Sequence, residues 1–299
     1  MKNIVIFLNG ERGLATLDAV VAAGHEVASA VVPAKLRNSG VARRASAAGA
    51  AVEAVVNVND PEFVASLKAK RPTLGLVAGF STIFKAPLIG TPARGTLNLH
   101  GGKLPQYRGG SPLNWQIING EKTAGLSVIR VDEGIDTGPV LAETEFAIGP
   151  DDTIGDLHEK ANKLFPGLVV QVLKGLDDGT LVERPQDETK ARYWRQRKPN
   201  DGRLHWQDLT AAQAYNLVRA ITRPYPGAFT AWDGKKVRIF GARIAATPVS
   251  GAPGGVCALD GSAPVVLCAE GALVLTDYDV EGAEGQAIPV GTTLGGNLA

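Results

Sequence analysis

The sequence predicts an α/β protein in two parts. A mostly parallel sheet with helices on both faces is expected over residues 1–190, and a small β-barrel over residues 191–299. Three observations carry this. Short runs rich in Val, Ile and Leu alternate with helix-patterned stretches through the first half, which is the rhythm of βαβ units. The character changes near residue 190, where Arg192, Arg195, Arg197 and Lys198 lead into Pro199-Asn200-Asp201-Gly202. Beyond that point, short strand-like segments are separated by glycine turns, as in small barrels.

Residues 3–8 read as a buried strand. The apolar run is too short for a secretory signal, and Asn9, Glu11 and Arg12 interrupt it. Residues 13–23 read as a helix, 26–32 as a strand, 40–49 as a helix, 60–69 as a helix and 73–78 as a strand. Ser81 to Phe84 with Pro87 predict a turn and a short helix. Strands are expected at 95–99, 125–131 and 139–146, the last two being close enough for an antiparallel extension. Asp151-Asp152-Thr153 supplies an N-cap. The helix behind it places Ile154, Leu157, Ala161, Phe165, Leu168, Val169 and Val172 at helical spacing, and Pro166 predicts a kink. In the second part a helix near 210–222 precedes β segments at 228–232, 236–244, 254–258, 264–268 and 272–276. The glycine-rich tail, residues 282–299, predicts partial disorder.

Composition narrows the function classes. A net charge of +1 gives no global field for nucleic acid, although a local basic patch stays open. No run of about 18 apolar residues marks a membrane span, so a cytoplasmic protein with no membrane partner is expected. Cys257 and Cys268 form no metal pattern and are expected to stay reduced. His25, His158 and His205 read as surface or packing residues, and no His/Asp/Glu spacing demands a metal. Asn9-Gly10-Glu11-Arg12-Gly13 follows the first strand, where α/β sheets often bind ligands. The dinucleotide fingerprint and the P-loop lysine are both absent. Hydride transfer is thus disfavoured, while Asn9 and Arg12 remain candidates to touch a substrate.

The chemistry concentrates in two stretches. In Thr96-Leu97-Asn98-Leu99-His100 the alternation of a strand puts Asn98 and His100 on one face and two leucines on the other. In Asp132-Glu133-Gly134-Ile135-Asp136-Thr137-Gly138 three carboxylates share a loop between two strands, which could be no more than an acidic turn. Taken together, Asn, His and Asp suit acyl transfer. An amide can donate to a developing oxyanion, an imidazole can move a proton near neutral pH, and a carboxylate can fix the imidazole tautomer or help take a proton. No serine or cysteine sits on a nucleophile elbow, which points to direct attack by a substrate amine.

Leu97-Asn98-Leu99-His100-Gly101, Leu104-Pro105-Gln106-Tyr107-Arg108-Gly109 and Asp132 through Gly138 together resemble the formyltransferases that use 10-formyltetrahydrofolate. That family includes methionyl-tRNA formyltransferase and sugar N-formyltransferases. Pro199-Asn200-Asp201-Gly202, Trp206 and Pro224-Tyr225-Pro226-Gly227-Ala228-Phe229 resemble the start of the family's C-terminal domain. The resemblance implies a Rossmann-like N-terminal catalytic domain, an OB-like C-terminal domain, and Asn98, His100 and Asp136 as catalytic residues. It places the folate along Val77, Gly79, Phe80 and Ile83, under the loop that holds Asp132 and Gly134.

For the acceptor, the connection after the second strand is short, whereas the tRNA enzymes of the family commonly carry a long basic loop there. Gly102-Lys103-Leu104-Pro105 also replaces their usual Ser-Leu-Leu-Pro. These features look more like enzymes acting on nucleotide-linked amino sugars, which are often dimers. Lys103, Gln106, Tyr107 and Arg108 then become candidates for the sugar or its diphosphate. Methionyl-tRNA, gripped by the basic run at 192–198, and another small amine stay as alternatives.

Overall fold

The computed structural model describes residues 1–247 and 249–298. The chain falls into two compact units. The first gathers Met1–Pro112, Ala124–Phe146 and Glu159–Trp194, and the second gathers Leu113–Thr123, Ala147–His158 and Arg195–Ala299.

The elements run β1 (Ile4–Leu8), α1 (Gly10–Ala22), β2 (Val27–Pro33), α2 (Gly40–Ala47), β3 (Ala51–Val55), α3 (Pro61–Ala69), β4 (Leu74–Ala78), α4 (Ala86–Ile89) and β5 (Thr96–His100). They continue with β6 (Arg108–Gly109), α5 (Pro112–Ile118), β7 (Thr123–Arg130), β8 (Val140–Ala147), α6 (Ile154–Asp178) and β9 (Tyr193–Trp194). Seven strands form a sheet in the order β3-β2-β1-β4-β5-β7-β8. Strands β3 through β5 pair in parallel, and β7 turns antiparallel against β5. Every residue of β1 and β4 is buried, as a parallel strand covered on both faces requires. Val5 and Phe7 join Leu67 of α3 and Leu88 of α4 in one cluster. Leu8 meets α1 on the other face at Gly13, where an added Cβ would lie 2.6 Å from the leucine Cβ.

The sheet therefore winds outward in both directions from β1 and β4. The carboxyl ends of these two strands mark the switch point at which open α/β sheets form ligand crevices. Asn9 and Gly79 stand there, joined by a bond from the Asn9 N–H to the Ala78 carbonyl at 3.2 Å. β5 ends on the same edge of the sheet, one strand along.

Several sequence expectations are revised. β3 was not anticipated, because Ala-Val-Glu-Ala-Val is a half-exposed edge strand with a weak apolar signal. The first helix starts at Gly10, ahead of the expected residue 13. The helix expected behind Asp152 runs Ile154–Asp178 with Pro166 inside it. Its cap is Thr153, whose N–H and hydroxyl both donate to Asp156 while its Oγ1 accepts from the Asp156 N–H.

In the second unit α7 (Ala211–Ile221) precedes β10 (Ala228–Trp232), β11 (Lys235–Ile244), β12 (Val256–Asp260), β13 (Ala263–Leu267) and β14 (Ala272–Val280). These five strands make an antiparallel sheet in the order β10-β11-β14-β13-β12. The glycine-rich tail is ordered against this sheet, which is a further revision. Gly291 donates to Val256 on one edge strand and Gly295 donates to Ala231 on the other, while Ile288 and Leu294 are buried. Its last residue, Ala299, lies outside the described residues. Cys257 and Cys268 are free thiols, and burial pushes the Cys268 thiol up to about 11.

Trp206 is the largest fully buried side chain of the second unit, and its indole N–H donates to Thr230 Oγ1 at 3.0 Å. Replacing it with alanine should destabilise the protein by about 3–5 kcal/mol. The expected readout is a lower urea midpoint, with Trp206→Phe giving a smaller shift.

Candidate active site

β5 carries the central pair. It lies between β4 and β7, with Asn98 opposite Val77 on one side and Ile129 on the other. Leu97 and Leu99 are buried behind it, and His100 is only 5% exposed. Both ring nitrogens of this buried imidazole face oxygen atoms. Nε2 lies 2.6 Å from the Tyr107 carbonyl. A carbonyl can only accept, so Nε2 carries a proton. Nδ1 lies 3.4 Å from Asp136 Oδ2. The sequence reading left the aspartate either to fix the tautomer or to help take a proton; here the Tyr107 carbonyl is placed to fix the tautomer.

Asp136 is the acidic residue of its loop that turns inward. Its carboxylate accepts from Asn98 Nδ2 at 3.3 Å and from the Gly109 N–H at 2.9 Å, in addition to facing His100. Its φ is +54°, a left-handed conformation that Asp adopts more readily than most residues but still at a cost. Asp132 closes a local turn, accepting from the Gly134 N–H at 3.1 Å and Thr137 Oγ1 at 2.6 Å. Glu133 points to solvent. Gly138 is obligatory, because a Cβ there would sit 1.9 Å from the Arg130 carbonyl.

The remaining candidates fall into three groups. Near the switch point, Gly79 is exposed with φ +80°. Asn9 flanks it, and Arg12 packs its guanidinium over the Phe165 ring at 4.9 Å. Val77 belongs to the core by its side chain, and its main chain is paired within the sheet between β1 and β5. Phe80 packs edge-on against Phe7 and Phe84, whereas Ile83 is 67% exposed. On the loop after β5, Lys103 pairs at the surface with Glu145 at 2.6 Å. Gln106 Oε1 is a buried acceptor without a donor, a state that costs about 1–3 kcal/mol until something supplies one.

Tyr107 and Arg108, expected to meet the sugar or its diphosphate, are both buried in this structure. Tyr107 is 5% exposed, with its ring stacked on Trp194 at 5.6 Å. The Arg108 side chain is fully buried. Its guanidinium bonds both oxygens of Glu188 at 2.6 and 2.9 Å, Gln186 Oε1 at 3.0 Å and the Tyr193 hydroxyl at 2.8 Å. A guanidinium committed in this way has become internal bracing. Gln186, Glu188, Tyr193 and Trp194 were not singled out from the sequence. They sit in a polar stretch whose local pattern reads only as a connection.

Comparison with known proteins follows from this geometry. Residues 2–173 match the family described as Formyl transferase, and residues 197–292 match Formyl transferase, C-terminal domain. The chain belongs to the formyl transferase family and is an enzyme that transfers formyl groups. The methionyl-tRNA formyltransferase of Moorella thermoacetica is 32% identical over 275 residues, covering 89% of this chain and 88% of that protein. That of Sorangium cellulosum is 37% identical over 227 residues, covering 75% and 72%. Among solved structures, the N-formyltransferase from Helicobacter canadensis with folinic acid and dTDP-3-aminofucose has a TM-score of 0.70 at 15% identity, covering 92% of this chain and 99% of that one. HypX from Aquifex aeolicus with tetrahydrofolic acid has a TM-score of 0.67 at 20% identity over 95% of this chain, which spans 44% of HypX. These structural likenesses show a shared fold.

The Arg108 pairing makes a pH prediction. Its hydrogen bonds hold the Glu188 carboxyl below the ordinary value of 4.5. The unfolded chain takes up that proton first on acidification. The stabilisation is therefore complete above about pH 4.5 and is lost as pH falls through the lower folded value. Thermal melts across that range should show a shallower acid limb for Glu188→Gln than for the wild type.

Proposed function

We propose that the enzyme transfers a formyl group from 10-formyltetrahydrofolate to the primary amine of a nucleotide-linked amino sugar, with Asn98, His100 and Asp136 as catalytic residues. The observation that supports the site most directly is the convergence of these three side chains at the carboxyl end of β5, each within 3.4 Å of another. The folate donor supplies an activated one-carbon unit. Its binding is assigned to the crevice beside β4, with Gly79 and Ile83 as the contacts just beyond Val77, beside Phe80 and the loop of Asp132 and Gly134. Exposed Gly79 and Ile83 suit an aromatic ligand that needs backbone partners and an apolar cover.

The chain's own groups then divide the work. An attacking amine must lose a proton, and His100 Nδ1 is the ring nitrogen available to take it, because Nε2 is committed to the Tyr107 carbonyl. The resulting imidazolium faces the Asp136 carboxylate. Asn98 Nδ2, weakly held at 3.3 Å, can turn its second N–H to the oxygen on which negative charge develops. Gln106 Oε1, in want of a donor, is assigned to an N–H or O–H of the acceptor.

The short link between β2 and α2, residues 34–39, favours the sugar acceptor. The methionyl-tRNA formyltransferases at 32–37% identity favour a second reading, in which methionyl-tRNA is the acceptor. Within the basic run Arg195 is already paired with Asp201, whose carboxyl it holds at about 2, which removes one free cation from any RNA contact.

Tetrahydrofolate release is expected with a nucleotide-linked amino sugar and not with initiator methionyl-tRNA; the opposite pattern transfers the assignment to the tRNA. With the true acceptor, Asn98→Ala and His100→Ala should each lower kcat about 10²–10³-fold while folate binding survives. Wild-type turnover in either variant would remove these residues from the chemistry.

A further inference from the structure

We propose that residues 184–194 form a positioning strap for the active site, in which Gln186 fixes Asp136 and Trp194 fixes the carbonyl that holds His100. This rests on the catalytic reading above. Neither family match covers residues 174–196, so the strap falls in what would pass for a linker.

The Asp136 side is the more specific. Gln186 Nε2 donates to the Asp136 carbonyl at 2.8 Å and to the Gly138 carbonyl at 2.7 Å. Its Oε1 accepts from Arg108 Nε at 3.0 Å. Both carbonyls can only accept and the guanidinium can only donate, so the amide has one orientation. One side chain thus grips the loop on both sides of Thr137 and holds Asp136 at its positive φ. Arg108 is in turn anchored by Glu188 and Tyr193 of the same strap. Its neighbour Gly109 donates to the Asp136 carboxylate. Backbone and carboxylate of Asp136 are therefore both referenced to one buried arginine.

The His100 side uses the other end. Arg192 donates to the Pro105 carbonyl, Arg108 donates to the Arg192 carbonyl and Gly110 donates to the Trp194 carbonyl. The Trp194 indole N–H donates to the Gln106 carbonyl at 3.0 Å, and its ring stacks on Tyr107. The next carbonyl, that of Tyr107, accepts the His100 proton. Removing the strap would leave the Tyr107 carbonyl that holds His100 and the Asp136 carboxylate on two loops with independent freedom. Misplacement by about 1 Å at a reacting centre can cost on the order of 10²-fold in rate.

The test uses the full-length enzyme with its identified acceptor. Gln186→Leu should lower kcat by on the order of 10²-fold with little change in KM for either substrate, measured well below a thermal midpoint that falls because Arg108 Nε and two carbonyls lose their partner. Gln186→Glu supplies a readout that a merely structural role would not move. Its carboxylate would face two carbonyls and repel them, whereas its protonated form can donate to one. The ratio of its kcat to that of the wild type should therefore rise as pH falls. A ratio that stays flat across pH, or a Gln186→Leu enzyme with wild-type kcat, overturns the proposal. Asp136→Asn is measured in parallel. If it keeps wild-type turnover the catalytic reading itself fails, an outcome distinct from any result at position 186.

Discussion

A polar group withdrawn from water must find a partner, and that requirement governs the carboxyl end of β5. His100 is buried and Asn98 half-buried there, so the imidazole cannot rely on solvent. His100 takes the Tyr107 carbonyl and Asp136; Asp136 takes Asn98 and the Gly109 N–H; the loops that offer these groups take the buried arginine and the amide that braces it. Each layer of polar satisfaction fixes the position of the one inside it. The proposed catalytic trio is the innermost layer of that arrangement, and its order comes from the same hydrogen bonds that make burial tolerable.

The parts of this arrangement that follow from chain periodicity were legible in the sequence. Alternation in Thr96-Leu97-Asn98-Leu99-His100 put the amide and the imidazole on one face because a strand has no other way to place them. The helices and the C-terminal strands announced themselves through spacing and glycine turns. What stayed hidden depends on contacts distant in sequence. Arg108 looked like a mobile basic group because nothing nearby reveals that Glu188 lies against it. Gln186 looked like any loop amide until the fold brought it to Asp136. β3 escaped notice because an edge strand needs only half an apolar face.

The two lines of likeness bear on different halves of the reaction. Donor handling is built into the sheet, whose switch point and strand ends recur wherever the fold does. Acceptor choice resides in loops, which vary without disturbing the sheet. A chain can therefore share a third of its residues with methionyl-tRNA formyltransferases while its acceptor is set by loops such as the one between β2 and α2. Overall identity is dominated by the scaffold, whereas the acceptor is chosen by a handful of loop positions.

The last ordered stretch of the chain has a bearing on solubility. An open five-stranded sheet presents two rows of unpaired backbone groups, and such rows recruit other chains. Here residues 291–295 reach both margins, bonding to Val256 at one and Ala231 at the other. Glycines at both ends of this stretch and the buried Leu294 between them let it turn from one margin to the other. Trimming these residues would uncover the Val256 margin and part of the Ala231 margin, and the cost would appear as self-association.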